Sequence, residues 1–298
     1  MPLLEVRNLT VEIDMGSEFV KALDKVSLTV ETGEIRALVG ESGSGKSLIV
    51  RAIIGAVPDH WIITADRLMW KGQNLLTMTN EQRRIIMRRE IAVVFQDPTS
   101  SLDPSATLRD QLEESIPEEF LDKGMFWQRN KQRREIAIGL MHKVGIKNHE
   151  ACMQRYPHEI AADIAQKFMI AMALVSEPEL LIADDPTRSM ESTTKNQILR
   201  LLTGLNETKK LAILFVSHDL LAISGMAHSM TVLYCGQTVE SGKVKHLHRR
   251  PLHPYTKALL DSAPSFQINL PPKSHLVALE GTIPTLQHLP IGCRLGPR

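Results

Sequence analysis

The stretch Gly40-Glu41-Ser42-Gly43-Ser44-Gly45-Lys46-Ser47, GESGSGKS, decides the fold. It meets the pattern G-x-x-x-x-G-K-[ST] at every fixed position. The apolar run before it, IRALV at 35–39, reads as a buried strand, and LIVRAIIGA after it reads as a helix. A glycine-rich turn between strand and helix separates a phosphate-binding loop from a merely flexible Gly/Ser loop. Glycines let backbone N–H groups close around phosphate oxygens without Cβ clashes. The helix N-terminus adds the positive end of its dipole. In such a loop Lys46 reaches the β- and γ-phosphates and the Ser47 hydroxyl takes Mg²⁺.

The rest of the chain bounds the reading. Its 298 residues suffice for one large core or two smaller ones. A formal net charge of +1 gives no global pull toward nucleic acid, and 4% aromatic residues argue against a surface for stacking bases. Cys152, Cys235 and Cys293 have no short metal-type spacing and suit a reducing compartment. The start, MPLLEVRNLT, has neither the basic nor the apolar region of a secretory signal. Nowhere do ~18 apolar residues run together, so no membrane span is expected.

Along the chain, residues 3–30 alternate as short strands, and 58–76 as another small sheet segment. NEQRRIIMRRE at 80–90 is a basic helix capped by Thr79 or Asn80. IAVVF at 91–95 is a buried strand running into Gln96. Residues 99–155 carry apolar positions at helical spacing and read as an inserted helical subdomain. Its charge run, Arg129 to Arg134, is a solvated helix face or a contact for lipid headgroups or an acidic partner. A long helix follows at 160–175, then the strand ELLIADD, a helix at 192–207, the strand AILFVSHD and the hairpin TVLYCGQTVESGK. Strands alternating with helices imply a parallel sheet covered on both faces. HPYTKALL is helical, and the Pro-rich stretch 264–297 is expected to lie across a surface.

Phosphoryl transfer is mostly positioning and charge neutralisation. LLIADD ends a strand in Asp184, placed to orient Mg²⁺ with Ser47, and Asp185, placed to polarise the attacking water. Gln96 at one strand end can touch Mg²⁺ and the water, and His218 at another can hydrogen-bond the γ-phosphate. Either alone is a weak signal; four strand ends carrying these residues in this order is a strong one. Phe19 is either an adenine-stacking aromatic or a packed sheet-edge residue.

The order P-loop, FQDP, helical insert, YPHE before a helix, LLIADDPT and SHD resembles the ATP-binding subunit of an ABC transporter, from Leu4 to Lys257. HPYTKALL at 253–260 and LPIGCRLGPR at 289–298 are similar to the oligopeptide/dipeptide importer branch. The resemblance implies a P-loop NTPase with a RecA-like parallel-sheet core and an antiparallel β subdomain. It puts the ATP-binding domain at 1–248, with the helical subdomain inserted at about 97–176, and an importer-type extension at 249–298. It implies ATP and Mg²⁺ as ligands, two membrane-spanning permease subunits and, indirectly, a peptide-binding protein as partners. It further implies a peripheral place on the cytoplasmic side of a bacterial inner membrane, and no nucleic acid partner. Where the branch can hold an iron–sulfur cluster on several cysteines, this sequence offers only Cys293, either a truncated end or a free thiol, so no cluster is expected.

Three departures qualify the resemblance. The family's L-S-G-G-[QM] signature, which faces the nucleotide on the opposite subunit, is here Ile160-Ala161-Ala162-Asp163-Ile164. The hydroxyl is gone, both glycines are replaced, and Asp163 brings a negative charge toward an anion. At ~4 Å and an effective dielectric of ~20, like unit charges repel by about 4 kcal/mol. Asp185 stands where the family has Glu, shortening the carboxylate's reach by one methylene. Arg188-Ser189-Met190-Glu191 replaces T-A-L-D. The signature and Asp185 serve different composite sites of a dimer, so a heterodimer with a more regular second ATP-binding subunit is favoured. A weakly hydrolysing regulatory subunit is the first alternative, and a soluble ABC ATPase acting on DNA or ribosomes a more remote one.

Overall fold

The computed structural model describes residues 2–16, 18–98, 100–122, 124–188, 190–262, 279, 281–290 and 292–298. In chain order the strands and helices begin with β1 (Leu4–Asp14), β2 (Phe19–Val30), β3 (Ile35–Val39), α1 (Lys46–Ile54), β4 (Ile62–Thr64), β5 (Arg67–Trp70), β6 (Gln73–Asn74) and α2 (Asn80–Arg89). The middle comprises β7 (Ile91–Val94), α3 (Leu108–Ser115), α4 (Phe126–Lys143), α5 (His149–Met153), α6 (Ala162–Ala173), β8 (Leu180–Asp184) and α7 (Ser192–Lys209). The last part holds β9 (Ala212–Ser217), α8 (Leu220–Met226), β10 (Ser229–Tyr234), β11 (Gln237–Lys243), α9 (Val244–Arg249) and α10 (Pro254–Asp261). Two compact units result, Met1–Arg84 with Ala212–Arg298, and Ile85–Leu211.

The first unit holds an antiparallel sheet in the order β2-β1-β5-β6, with β4 also on β1. Its strands alternate, so Leu4, Val6, Leu9 and Val11 of β1 are buried along with Leu68 and Trp70 of β5. A second set of strands runs β11-β10-β3-β9. Here β3 lies parallel to both β10 and β9, and β11 returns antiparallel on β10 as the expected hairpin. Ile35, Ala37, Leu38 and Val39 of β3 and Ile213 to Val216 of β9 are all fully buried. Near-continuous apolar runs of this kind belong to parallel strands covered on both faces.

The second unit contains the parallel pair β7–β8, with Val94 opposite Ala183. The helical insert expected at about 97–176 falls inside it, as α3 to α6, with α4 packed on α6 and α3 on α4. Thr107 caps α3 by accepting from the Asp110 N–H at 3.2 Å. Of the two candidate caps for α2, Thr79 does the work: it accepts from Gln82 N–H at 3.2 Å, and the Gln82 side chain answers to Thr79 N–H at 3.0 Å. Ala161 and Ala162 cannot cap, and α6 starts without a side-chain acceptor at its N-cap.

Between the hairpin and the expected extension at 249–298 lies α9, a helix that the sequence reading had not assigned, and α10 is the first helix of the extension itself. Pro254 occupies the first turn of α10, and His253 Nδ1 accepts from Tyr255 N–H at 3.1 Å. Of the Pro-rich stretch, 264–278, 280 and 291 lie outside the described residues. Ser189 of the altered R-S-M-E stretch does too. The described part of the tail returns to the first unit, where Arg294 reaches Asp24 at 3.5 Å.

The entry to the extension is held by Glu240 of β11. Its carboxylate accepts from Leu252 N–H at 2.9 Å and from His253 N–H at 3.1 Å. Burial works to raise this carboxyl, but the Thr256 hydroxyl beside it and the two amides outweigh burial and hold it below its ordinary value. A carboxyl depressed in the fold adds stability above its unfolded pKa and loses it as pH falls through the folded one. Glu240→Gln is therefore expected to cost about 1 kcal/mol at neutral pH. Urea unfolding across pH is expected to show that gap closing as pH falls below the ordinary glutamate range, where the wild-type carboxyl becomes protonated as well.

Candidate nucleotide-binding site

The loop 40–47 leaves the buried end of β3 and enters α1. Gly40, Gly43 and Gly45 all have positive φ, at 156°, 83° and 103°. A Cβ on Gly40 would collide with the Leu233 carbonyl and come within 2.7 Å of Ser44 Oγ. No side chain other than hydrogen fits that turn. Ser44 is fully buried, and its carbonyl accepts from Gly236 N–H at 2.8 Å. Gly45 is the N-cap of α1 and brings no capping side chain. The first turn of the helix is thus presented to the loop's concave side without a side-chain oxygen competing there.

Lys46 bends back over the loop. Its Nζ donates to the Gly40 and Glu41 carbonyls at 2.8 Å each and to Ser44 Oγ at 3.4 Å. An ammonium at the mouth of a glycine-lined turn, with exposed Ser42, Gly43 and Ser47 around it, fits a polyphosphate. β3 and β9 are adjacent and in register, Val39 opposite Ser217. Gly40 and His218 therefore leave the same sheet edge side by side, and His218 is exposed there. Ligands of open α/β sheets bind at such carboxyl ends. Asp219 does not face this edge as a reactive acid: it caps α8, accepting from Leu221 N–H at 2.9 Å and Ala222 N–H at 3.1 Å. Phe19 starts β2 and is 53% exposed rather than packed.

In the second unit, Gln96 and the acids Asp184 and Asp185 leave the same end of the parallel pair β7–β8. Asp184 and Asp185 are buried, and Asp185 sits at φ 49°, a left-handed position that Asp tolerates better than most residues. The Asp185 carbonyl accepts from Arg188 N–H at 3.1 Å. With its amide turned to satisfy its neighbours, the Gln96 oxygen accepts from the Arg188 guanidinium, Nε at 3.1 Å. Burial lowers the Lys195 ammonium of α7, while the Asp185 charge works the other way, so the two lie within electrostatic reach.

Residues 160–164 stand where α6 begins. Ala161 and Ala162 are exposed, and Ile160, Asp163 and Ile164 are half-buried. Asp163, in the first helical turn, meets the positive end of the helix dipole. It also pairs with Lys167 one turn on, at 4.0 Å. A cation thus accompanies the negative charge at the helix start. Sequence reasoning also missed Tyr255 and Arg298. The Glu41 N–H donates to the Tyr255 hydroxyl at 3.0 Å, and Arg298 Nη1 donates to the Glu41 carboxylate at 2.8 Å. The only sequence signal for either was their place in an importer-type tail.

Comparison with known proteins agrees with this geometry. The family described as ABC transporter matches residues 23–188, and the oligopeptide/dipeptide transporter C-terminal region matches 239–298. The peptide transport system ATP-binding protein SapD of Escherichia coli O6:H1 is 51% identical over 298 residues, covering 100% of this chain and 90% of that protein. SapD of Haemophilus influenzae is 46% identical, covering 100% and 85%. The dipeptide transport ATP-binding protein DppD of E. coli K12 is 37% identical, covering 100% and 88%. Among solved structures, the dimeric post-hydrolysis state of the ATP-binding cassette MJ0796 bound to ADP and Pi superposes with a TM-score of 0.68. It is 26% identical and covers 81% of this chain and 98% of that one.

Replacing Lys46 by Ala removes the one ammonium that the loop turns inward. MgATP affinity, read by equilibrium dialysis, is expected to fall at least about tenfold, the scale of one charge-assisted contact. The thermal midpoint without nucleotide is expected to move by only a few degrees.

Proposed function

The chain belongs to the ABC transporter family, and on that premise we propose that it is the ATP-binding subunit of a bacterial peptide importer. It couples ATP binding and hydrolysis to peptide uptake through two membrane-spanning permease subunits. The observation that carries this is similarity along all 298 residues, 51% identical to a peptide transport ATP-binding protein, with the tail 239–298 matching the oligopeptide/dipeptide region. No helix among the described residues is long and apolar enough to cross a membrane. That fits a subunit attached peripherally to the cytoplasmic side of the inner membrane, with a peptide-binding protein upstream of the permease.

In this reading the amides of 40–47 and Lys46 bind the phosphates, and the Phe19 ring lies against adenine. Ser47 and Asp184 would hold Mg²⁺, with Gln96 as a further contact, and the ion when bound would supply charge neutralisation at the phosphates. Asp185 orients and deprotonates the attacking water, while Gln96 and His218 respond to the γ-phosphate. Residues 160–164 belong to the site built on a partner's P-loop.

Two features favour slow turnover and a pairing with a more regular second ATP-binding subunit. Asp185 is one methylene shorter than Glu, and Lys195 lies within electrostatic reach of it. Residues 160–164 offer the partner's nucleotide neither a hydroxyl nor glycines. A homodimer would carry both defects in each site, whereas a heterodimer carries one in each. The same features support a second reading, a nucleotide-binding regulatory subunit with little hydrolysis of its own.

Purification of the tagged chain from detergent-solubilised membranes is expected to recover two polytopic subunits and a second ATPase by mass spectrometry. Recovery of ribosomes or DNA-repair factors instead would overturn the assignment. In that complex, Asp185→Glu is expected to raise ATPase turnover by roughly tenfold or more, since a ~1 Å misplacement of a catalytic group costs up to about 10²-fold. An unchanged rate would remove Asp185 as the cause of slow hydrolysis.

A further inference from the structure

The strongest unassigned feature in the structure is the cluster formed by the C-terminal arm against the back of the P-loop. The Arg298 side chain is 5% exposed and the Glu41 side chain 33%. One guanidinium nitrogen donates to Glu41 Oε2 at 2.8 Å and the other to Glu41 Oε1 at 3.4 Å, a forked contact on one carboxylate. The second nitrogen also donates to the Leu279 and Gly281 carbonyls at 3.2 and 3.3 Å. The guanidinium lies 6.0 Å from the Tyr234 ring centroid. Tyr234 in turn packs on Tyr255 at 4.5 Å, and the Tyr255 hydroxyl accepts from Glu41 N–H. Arg294, on the same arm, donates to the Cys235 carbonyl, and the next residue, Gly236, donates its N–H to Ser44 O. Side chain and backbone of Glu41 are thus both held by residues more than 200 positions away.

Glu41 is a carboxylate in a loop built to receive an anion. Unpaired, it would repel a polyphosphate at short range. Arg keeps its charge at any physiological pH, and its planar fork matches a carboxylate. The same pair also fixes the loop's first turn. Lys46 braces that turn through the Gly40 and Glu41 carbonyls in this structure. A bound phosphate draws on the same ammonium, and the contacts from Tyr255 and Arg298 then carry more of the brace.

We propose that Arg298 is a positioning residue for the nucleotide loop: the C-terminal arm neutralises Glu41 and holds it turned away from the phosphates, so that the arm's docking raises ATP affinity. This rests on the reading of 40–47 as a nucleotide cradle. It assigns the importer-type tail a role at the nucleotide rather than only at partner subunits.

The test is titration of the full chain with a fluorescent N-methylanthraniloyl-ATP and Mg²⁺. Arg298→Ala and Arg298→Gln are expected to weaken binding by roughly five- to tenfold, the scale of about 1 to 1.4 kcal/mol. Arg298→Gln keeps a donor for the Leu279 and Gly281 carbonyls and guards against a mere folding defect. Adding Glu41→Gln to either variant is expected to recover most of the affinity, because the unpaired carboxylate is then gone. A simple structural role would not produce that rescue. Wild-type affinity in both Arg298 variants, or no recovery in the double variants, overturns the proposal. Failure of the wild-type chain itself to bind the probe overturns the cradle reading instead.

Discussion

A loop that binds phosphate through backbone amides cannot carry side chains where it bends, and the rest of this fold is arranged around that requirement. The Gly40 turn sits against the Leu233 carbonyl, so closely that a Cβ would collide with it. Close approach of this kind needs a rigid wall. β10, parallel to β3 and buried throughout, supplies it. The turn after β10, at Cys235 and Gly236, then closes on the loop's other side through Ser44. The strand before the loop, the strand beside it and the turn beyond must all be in place before one amide points usefully. A sheet of fully buried apolar strands is the cheapest way to hold three backbone segments in such register.

Charge follows the same logic. Glu41, Asp163 and Asp185, three of the carboxylates proposed to lie near an anion, each have a cation. Arg298 forks onto Glu41, Lys167 stands 4.0 Å from Asp163, and Lys195 is within electrostatic reach of Asp185. The three cations have different origins: a distant tail, the next turn of the same helix, and the helix after the acidic strand. The pairs also differ in worth. Arg298 is buried, where losing one partner leaves a charge without compensation. The i,i+4 pair at Asp163 contributes a few tenths of a kcal/mol to the helix.

The nearby parts of this arrangement could be read from sequence, and the distant ones could not. IRALV before GESGSGKS announced strand, loop and helix in one reading, and ELLIADD and AILFVSHD announced two further buried strands by apolar runs alone. The order of strand ends then located Gln96, Asp184, Asp185 and His218. Asp163 and Lys167, four residues apart at a helix start, were readable as a pair in principle. Thr79 against Asn80 as the cap of α2 needed Gln82 to be counted three residues on. Nothing local could have paired Glu41 with Arg298, 257 residues apart. Periodicity and propensity report on neighbours within a turn or a strand, whereas this contact is made by a tail returning to the first unit.

The pattern of repairs says what kind of defect the chain tolerates. Counter-charges accompany Asp163 and Asp185 and reduce the electrostatic cost of each. They cannot lengthen Asp185 by a methylene, nor let backbone approach where Ala162 and Asp163 replaced glycine. Charge was compensated and reach was not. In the proposed heterodimer, that combination would keep this subunit's nucleotide loop usable while the more demanding geometry fell to its partner.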